Sequence, residues 1–460
     1  MKGAAIYLNG SSNVEFIDMW LEQLYAYDKG GFLYVEYSSN LISNSEAQSN
    51  ESTLDNQLAN QSKISLIRGN FLALYALNMG GGLFIDSELI EIYFTNIYQY
   101  TSNSKNGGFI YLQKAKSLTI ADSNFRNYQG YNGAFIQSES SNTVISIERS
   151  NFKQNSNPIY EDPLDSNPTV DYSYDEYGAI YIKKAESVTF KNNKFYNHYF
   201  KKYGAVAFLE QTKFYDNGST YFNTLSEIGA IYFNQTYDVE LSFLNIEENM
   251  SLTGATGLHF EQVNGDVKLT NVTIYKSSGA KGAICYQNYE NSNAIVSNQL
   301  LLTNVSIINS GAQYHAGIYY FHQNGIFITR NLFLLFVESQ YLGVIAVQSA
   351  RMVEFHDTIV TETRSIEGGI FLYAENVRES VYIGQIRIQN MPQVIFTTLR
   401  RNLAFWHQNY RFYYSMMTVN PYSLITIRGG IQAYINNLIL KSAIFEDGNR
   451  EIIRIDQFLL

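Results

Sequence analysis

Residues 178–195 read GAIYIKKAESVTFKNNKF, and the order of apolar and polar side chains in this stretch decides the fold class. After Gly178 the apolar residues alternate, with Ile180 and Ile182 on one face and Tyr181 on the other. A strand produces that alternation and a helix does not. Val188 and Phe190 repeat it ten and twelve residues after the glycine, and a third apolar point, Phe195, follows five residues later. Asn192 falls between the second and third segments, where a residue that tolerates a left-handed bend and bonds its own backbone makes a turn. Three short strands therefore fit into one stretch of some twenty-five residues.

The pattern recurs along the chain. Strings such as GFLYV from Gly31, GFIYL from Gly108, GAIYF from Gly229, AGIYY from Ala316 and GGIFL from Gly368 mark a series of anchors. The full series is Ala4, Gly31, Gly81, Gly108, Gly133, Gly178, Gly204, Gly229, Thr256, Gly282, Ala316, Leu342 and Gly368, and nine of its twelve steps lie between 25 and 27 residues. Leucine-rich repeats share the period but need a leucine and asparagine spine, helical repeats need a 3.6-residue period, and a propeller blade needs about 40 to 45 residues. The sequence thus predicts an all-β, right-handed parallel β-helix, a solenoid with three strands per rung, its hand following from the chirality of crossover connections. With about 14 to 16 rungs at ~4.8 Å each, its length would be ~65 to 75 Å.

One domain spanning 1–460 is expected, with regular repeats over 4–396 and degenerate rungs or a C-terminal cap over 397–460. Long steps imply loop insertions near 38–61 and 156–177, with a smaller one near 288–297, because a solenoid accepts extra residues only where the chain leaves a strand. The opening MKGAAIYLNGSSNVEFID lacks the apolar core of a secretory signal. No apolar run approaches the ~20 residues of a membrane span. With the repeat beginning at Ala4, the first rung is expected to be covered by further sequence or to associate end to end, since an open strand edge is a pairing template.

Column by column, the second position after each anchor is Ile6, Leu33, Leu83, Ile110, Phe135, Ile180, Val206, Ile231, Leu258, Ile284, Ile318, Val344 and Ile370. All are apolar and are assigned to the core. The next position is then outward: Tyr7, Tyr34, Phe84, Tyr111, Ile136, Tyr181, Ala207, Tyr232, His259, Cys285, Tyr319, Ile345 and Phe371. Its rings form a ladder, with Tyr7, Tyr34, Phe84, Tyr111, Tyr181, Tyr232, Tyr319 and Phe371 as candidate binding residues. Two readings stay open. In one, the rings support each other across strands and a loop covers them; in the other, they form an exposed docking stripe for protein or for sugar rings. On the outward assignment, Asp at Ile180 or Ile231 unfolds several rungs, while Ser at Tyr181 or Tyr232 is mild.

Chemistry is harder to find. The chain carries 32 Lys and Arg against 42 Asp and Glu, a formal charge of −10, which disfavours nucleic acid because phosphate binding needs clustered cations. A single cysteine, Cys285, excludes an internal disulfide. It has no histidine nearby in the pattern, so a nucleophilic role is not expected. The six histidines are scattered without metal-ligand spacing, and no cofactor-binding motif is present. Asp18, Asp122, Asn192, Asn271, Asn304 and Asp357 form a column assigned to turns. Asp18 and Asp122 are three rungs apart, about 14 Å at ~4.8 Å per rung, too far for paired carboxylate catalysis. The outward column of the second strand is read as Glu15, Ser65, Glu91, Thr119, Ser146, Thr189, Glu240, Lys268, Glu354 and Tyr382, with no two acids in adjacent rungs. Acid–base pairs and metal sites are therefore not expected.

The GAIYI and GGIFL strings, with FKNNKF and DSNFRN after the second strand, resemble the pectin-lyase-like right-handed β-helix superfamily. They are most similar to the GGA[ILV] and FxxN repeats of polymorphic outer-membrane-type surface proteins and of protozoan β-helix proteins. The resemblance implies an extracellular or membrane-surface setting and a non-catalytic structural or adhesive module, part of a larger surface or membrane-associated protein. The N-T-D, D-D, G-H-G and R-I-K motifs of catalytic members are absent from this sequence. The alternative is a polysaccharide-active lyase or hydrolase, which requires carboxylates and a cation to converge in the fold.

Overall fold

The computed structural model describes residues 5–9, 13–36, 62–130, 132–154, 177–200, 202–289, 298–312, 317–339, 342–365, 369–391, 423–428, 432–443 and 451–456. Among them every regular element is a strand and none is a helix. The chain divides into two compact units, Met1–Thr220 and Tyr221–Leu460. Most of the three expected insertions, and residues 397–422 of the expected C-terminal region, lie outside the described residues.

In the first unit three parallel ladders carry most of the strands, and Ser102–Asn103 and Tyr128–Gln129 stack in turn on the second half of Asn70–Ala76. The first runs through Ile6–Asn9, Leu33–Glu36, Leu83–Asp86, Ile110–Lys114, Ile136–Ser138, Ile180–Ile182 and Ala207–Glu210. The second runs from Asn13–Ile17 through Lys63–Ile67, Glu91–Thr95, Ser117–Ala121, Val144–Glu148 and Ser187–Lys191 to Lys213–Asn217. The third links Trp20–Ala26, Asn70–Ala76, Tyr98–Gln99, Asn124–Arg126, Asn151–Lys153 and Lys194–Tyr196. Ile6 faces Leu33 and Ile110 faces Ile136, so a strand's partner lies one repeat downstream and not in a hairpin. This all-parallel stack is consistent with a β-solenoid.

The second unit repeats these ladders and carries a fourth, of two-residue strands, from Leu225–Ser226 through Met250–Ser251, Ser278–Gly279, Gly311–Ala312 and Glu338–Ser339 to Arg364–Ser365. Its first ladder includes Ile231–Asn234, Leu258–Glu261, Ile284–Asn288 and Ile318–His322, its second Val239–Ser242, Val267–Thr270, Gln299–Thr303 and Ile326–Arg330, and its third Asn245–Glu247, Thr273–Tyr275, Ser306–Ile308 and Phe333–Leu335. A strand of twelve residues, Ile345–His356, pairs into the first ladder with one half and the second with the other.

Inward positions pack at near-complete burial. Ile64, Leu66, Ile92, Phe94, Leu118, Ile120, Ile145, Ile147, Val188 and Phe190 are all at or below 1% exposure. Phenylalanine rings stack along the interior of the first unit: Phe109 on Phe135 at 5.6 Å, Phe125 on Phe152 at 5.2 Å and Phe152 on Phe195 at 4.9 Å. Each fully buried aliphatic or aromatic side chain stabilises by about 1.5–3 kcal/mol. Parallel stacking therefore turns a short repeat into a continuous core.

The turn column takes the predicted conformation. Asp18, Asp122, Asn192, Asn271, Asn304 and Asp357 all have φ between 52° and 55°. The residue that follows is often a buried Ser or Asn that bonds the preceding turn: Ser123 Oγ accepts from Ile97 N–H, Ser150 Oγ from Ser123 N–H, Asn193 Oδ1 from Ser150 N–H, and Ser219 Oγ from Asn193 N–H. This polar file satisfies backbone donors where strand pairing lapses, as buried amides require.

Register corrects four positions of the outward column. Gln137, not Ile136, pairs with Tyr111; Phe208, not Ala207, pairs with Tyr181; Ala346, not Ile345, pairs with Tyr319; and Tyr373, not Phe371, pairs with Ala346. Phe371 is fully buried and meets the ring of Phe355, itself fully buried. It is a core residue, because the strand bulges between Gly369 and Leu372. In the second ladder Tyr93 takes the place assigned to Glu91, which pairs instead with Lys63 and Ser117.

Candidate functional site

The ring ladder assembles on the outer side of the first sheet as its spacing requires. Tyr7 lies 5.3 Å from Tyr34, Tyr34 stacks on Phe84 at 4.9 Å, and Phe84 stacks on Tyr111 at 5.5 Å with planes 4° apart. Tyr181 stacks on Phe208 at 5.0 Å. In the second unit Tyr232 meets His259 at 5.3 Å, and Tyr319 packs with Ala255, Cys285 and Ala346 under Phe321 and Leu342.

These rings are largely buried. Tyr34, Phe84, Tyr111, Tyr232 and Tyr319 are no more than 5% exposed, whereas Tyr7 is 46% exposed. Residues of the turn before each anchor contribute the cover: Met79 packs against Tyr34, Phe84 and Tyr111, Lys29 Nζ sits 4.4 Å over Phe84, and Tyr177 meets Tyr181 at 5.0 Å and Phe208 at 5.2 Å.

In each unit, ladder hydroxyls donate to acidic or amide side chains. Tyr7 and Tyr34 donate to Glu36 at 3.1 and 3.4 Å, Tyr232 donates to Glu261, Tyr319 donates to Gln348 at 2.5 Å and Tyr373 donates to Glu375 at 3.0 Å. Burial, with Glu139 beside it, pushes the Tyr111 phenol up to about 12. Such phenols remain protonated donors across the physiological range.

Cys285 does have a histidine beside it: His259 is its partner in the neighbouring strand. The two stand in successive rungs of the ring column, which shows a neighbour that a search for a local motif misses. Burial opposes nucleophilic chemistry at the pair, pushing the thiol up to about 12 and the imidazole down to about 3. His259 Nδ1 instead faces the N–H of Ala255 at 3.4 Å.

Two acids of the turn column are held by arginines. Asp18 accepts two bonds from Arg68, at 2.6 and 2.9 Å, and Asp122 two from Arg149, at 2.8 and 2.9 Å; the guanidinium bond in each case holds the carboxyl below its usual range. Glu240 pairs with Lys268 and Glu248 with Lys276, both at 3.1 Å. Among the described residues, no three His, Cys, Asp or Glu side chains gather as a metal site requires. No helix among them is long and apolar enough to cross a membrane.

The column argument overlooked two features. Tyr128 and His198, 70 residues apart in sequence, are hydrogen-bonded inside the first unit, a meeting that no local spacing announces. Exposed aromatic side chains collect along the third ladder, at Trp20, Tyr25, Tyr98 and Tyr100; their signal is an aromatic residue at the polar phase of an alternating strand. Neither a protein-family model nor a curated protein matches the chain.

Proposed function

We propose that the chain is a non-catalytic structural or adhesive module built as a right-handed β-helix with three strands per rung, of the pectin-lyase-like kind, belonging to a larger surface or membrane-associated protein. The observation that carries this reading is the state of its titratable side chains. In the turn column Asp18 pairs with Arg68 and Asp122 shares Arg149 with Glu148, and His198, His259 and Cys285 are buried with pKa values displaced from neutrality. General acid–base work needs a group poised near the working pH and within reach of a second. The long stacks of in-register strands supply repeated outer surface instead. Right-handedness rests on the strong preference of parallel crossovers.

Incubation with polygalacturonate and with neutral polysaccharides, followed by reducing-end and unsaturated-product assays, tests the reading. No release above a heat-denatured control is expected. Turnover that survives purification and vanishes in a carboxylate variant would establish the alternative, a polysaccharide lyase or hydrolase.

A further inference from the structure

Among the described residues of the first unit, exposed aromatic side chains gather away from the buried ring ladder. On Trp20–Ala26 and the residues beside it, Trp20 is 65% exposed, Tyr25 67% and Tyr27 68%; Leu77 at 50%, Tyr98 at 38% and Tyr100 at 45% continue the patch on neighbouring strands and turns. Register makes it contiguous, since Trp20 faces Asn70, which faces Tyr98, and Tyr25 faces Tyr75, which faces Asn103. The inward residues of the same strands, Phe71 and Leu74, are at or below 1% exposure. The outward aromatics are therefore additional to what the core needs.

We infer that this face binds a neutral polysaccharide chain. The inference rests on the proposed binding role and names its ligand class. Contiguous exposed apolar patches mark interaction sites, and the chemistry of this one selects the partner. Its aromatic rings are Tyr and Trp, whose apolar faces carry a polar edge, and they alternate with the amides of Asn70, Asn103 and Gln129, the last two joined at 3.4 Å. Hydroxyl-rich rings with flat C–H faces complement that combination. Its charges are mixed in sign and engaged: Glu22 faces the Trp20 indole N–H at 3.5 Å, Arg126 lies over the Tyr98 ring at 5.6 Å, Arg68 near Asn70 pairs with Asp18 near Trp20 at 2.6 Å, and Asp28 beside Tyr27 accepts from the Asn78 amide at 2.9 Å. A polyanion would require clustered cations, and a protein hot spot would require rings sunk in desolvated pockets, whereas these rings stand proud of the strands. Trp20 and Tyr98 are two strands apart, about 9.6 Å at ~4.8 Å per strand, a separation on the scale of two consecutive sugar rings.

Affinity electrophoresis of the full chain in gels containing hydroxyethyl cellulose, xylan, galactomannan or laminarin, with polygalacturonate as the charged control, tests the inference. Retardation by at least one neutral polymer is expected, weakened about tenfold or more in Trp20→Ala/Tyr98→Ala, with an unchanged melting temperature and no effect of Tyr434→Ala in the other unit. In a Trp406→Phe background the emission of Trp20 should shift to the blue on adding the retained polymer. Absence of retardation in every neutral gel, retardation only by polygalacturonate, or retardation indifferent to the double substitution would overturn the inference. Binding accompanied by cleavage would remove the non-catalytic reading and leave this site standing; neither binding nor cleavage would remove this site and leave that reading.

Discussion

His198 lies fully buried in the first unit, its Nε2 bonded to the Tyr128 hydroxyl, and burial drives its pKa down to about 3. His259 in the second unit is displaced equally, to about 3. An unfolded imidazole titrates near ~6.5, so between these values the unfolded chain takes up protons that the folded chain refuses. Stability must then fall as pH drops through ~6.5 and go on falling until about 3, with a slope of up to ~1.4 kcal/mol per pH unit for each histidine. Thermal melts from pH 7 to 4 should show this decline, and His198→Leu combined with Tyr128→Phe should flatten it; an unchanged slope would place the linkage elsewhere. Asn193 gives a second residue-scale expectation. Its amide accepts from Ser150 N–H at 3.0 Å and donates to the Ile147 carbonyl at 2.6 Å. Asn193→Leu orphans both groups and should cost about 1–3 kcal/mol in denaturant unfolding, whereas Asn193→Ser should retain part of the file.

Strands and turns show where sequence is a sufficient guide and where it is not. The period, the strands and the left-handed turn column follow from alternation and from Asn and Asp placement, because both are local. Register did not follow at Gly133 and Gly204, which have φ of 60° and 57°. In Gly107-Gly108 the first glycine turns the chain, at φ 58°, and the second meets a neighbouring carbonyl, where an added Cβ would sit 1.9 Å from Ala134 O. Where only one glycine remains, a string cannot say which of these two positions it fills, and an error of one residue exchanges the faces. The ring ladder was visible as a column, but its cover by Met79, Lys29 and Tyr177 comes from turns whose side-chain directions no period encodes. That cover revises the expected effect of substitution. Phe84→Ala, stacked on both sides and fully buried, should destabilise by about 3–5 kcal/mol, Tyr232→Ser should be costly in the same sense, and Tyr7→Ala should cost under about 1 kcal/mol. Equal effects at Phe84 and Tyr7 in equilibrium unfolding would contradict the burial contrast.

For the whole molecule, the governing fact is that contacts are made between sequential neighbours in a stack. Energetics of such arrays is approximately a sum of nearest-neighbour terms. Ile147→Ala, which removes a fully buried side chain from Val144–Glu148, should therefore lower hydrogen-exchange protection most in its partners Ser117–Ala121 and Ser187–Lys191 and less in Asn13–Ile17. Uniform loss across the first unit would indicate one all-or-none transition. Composition makes a separate statement at this scale: with a net charge of −10, the protein should leave a DNA probe unshifted at low salt, where electrostatic affinity is greatest.

The one-repeat offset of every strand pair has a genetic corollary. Residues 109–134 span 26 positions, and Ile110 and Ile136 are already partners in the same ladder. Excising that span joins Gly108 to Phe135 and carries Ile136 into the place of Ile110, so the flanking strands meet again with their faces preserved. An in-frame deletion that leaves an odd offset within a strand inverts them. Unequal crossing-over between copies of the repeat is therefore a mutation this architecture absorbs, and descendants of such a gene would be free to lengthen or shorten in quanta of one coil while point insertions inside a strand are purged.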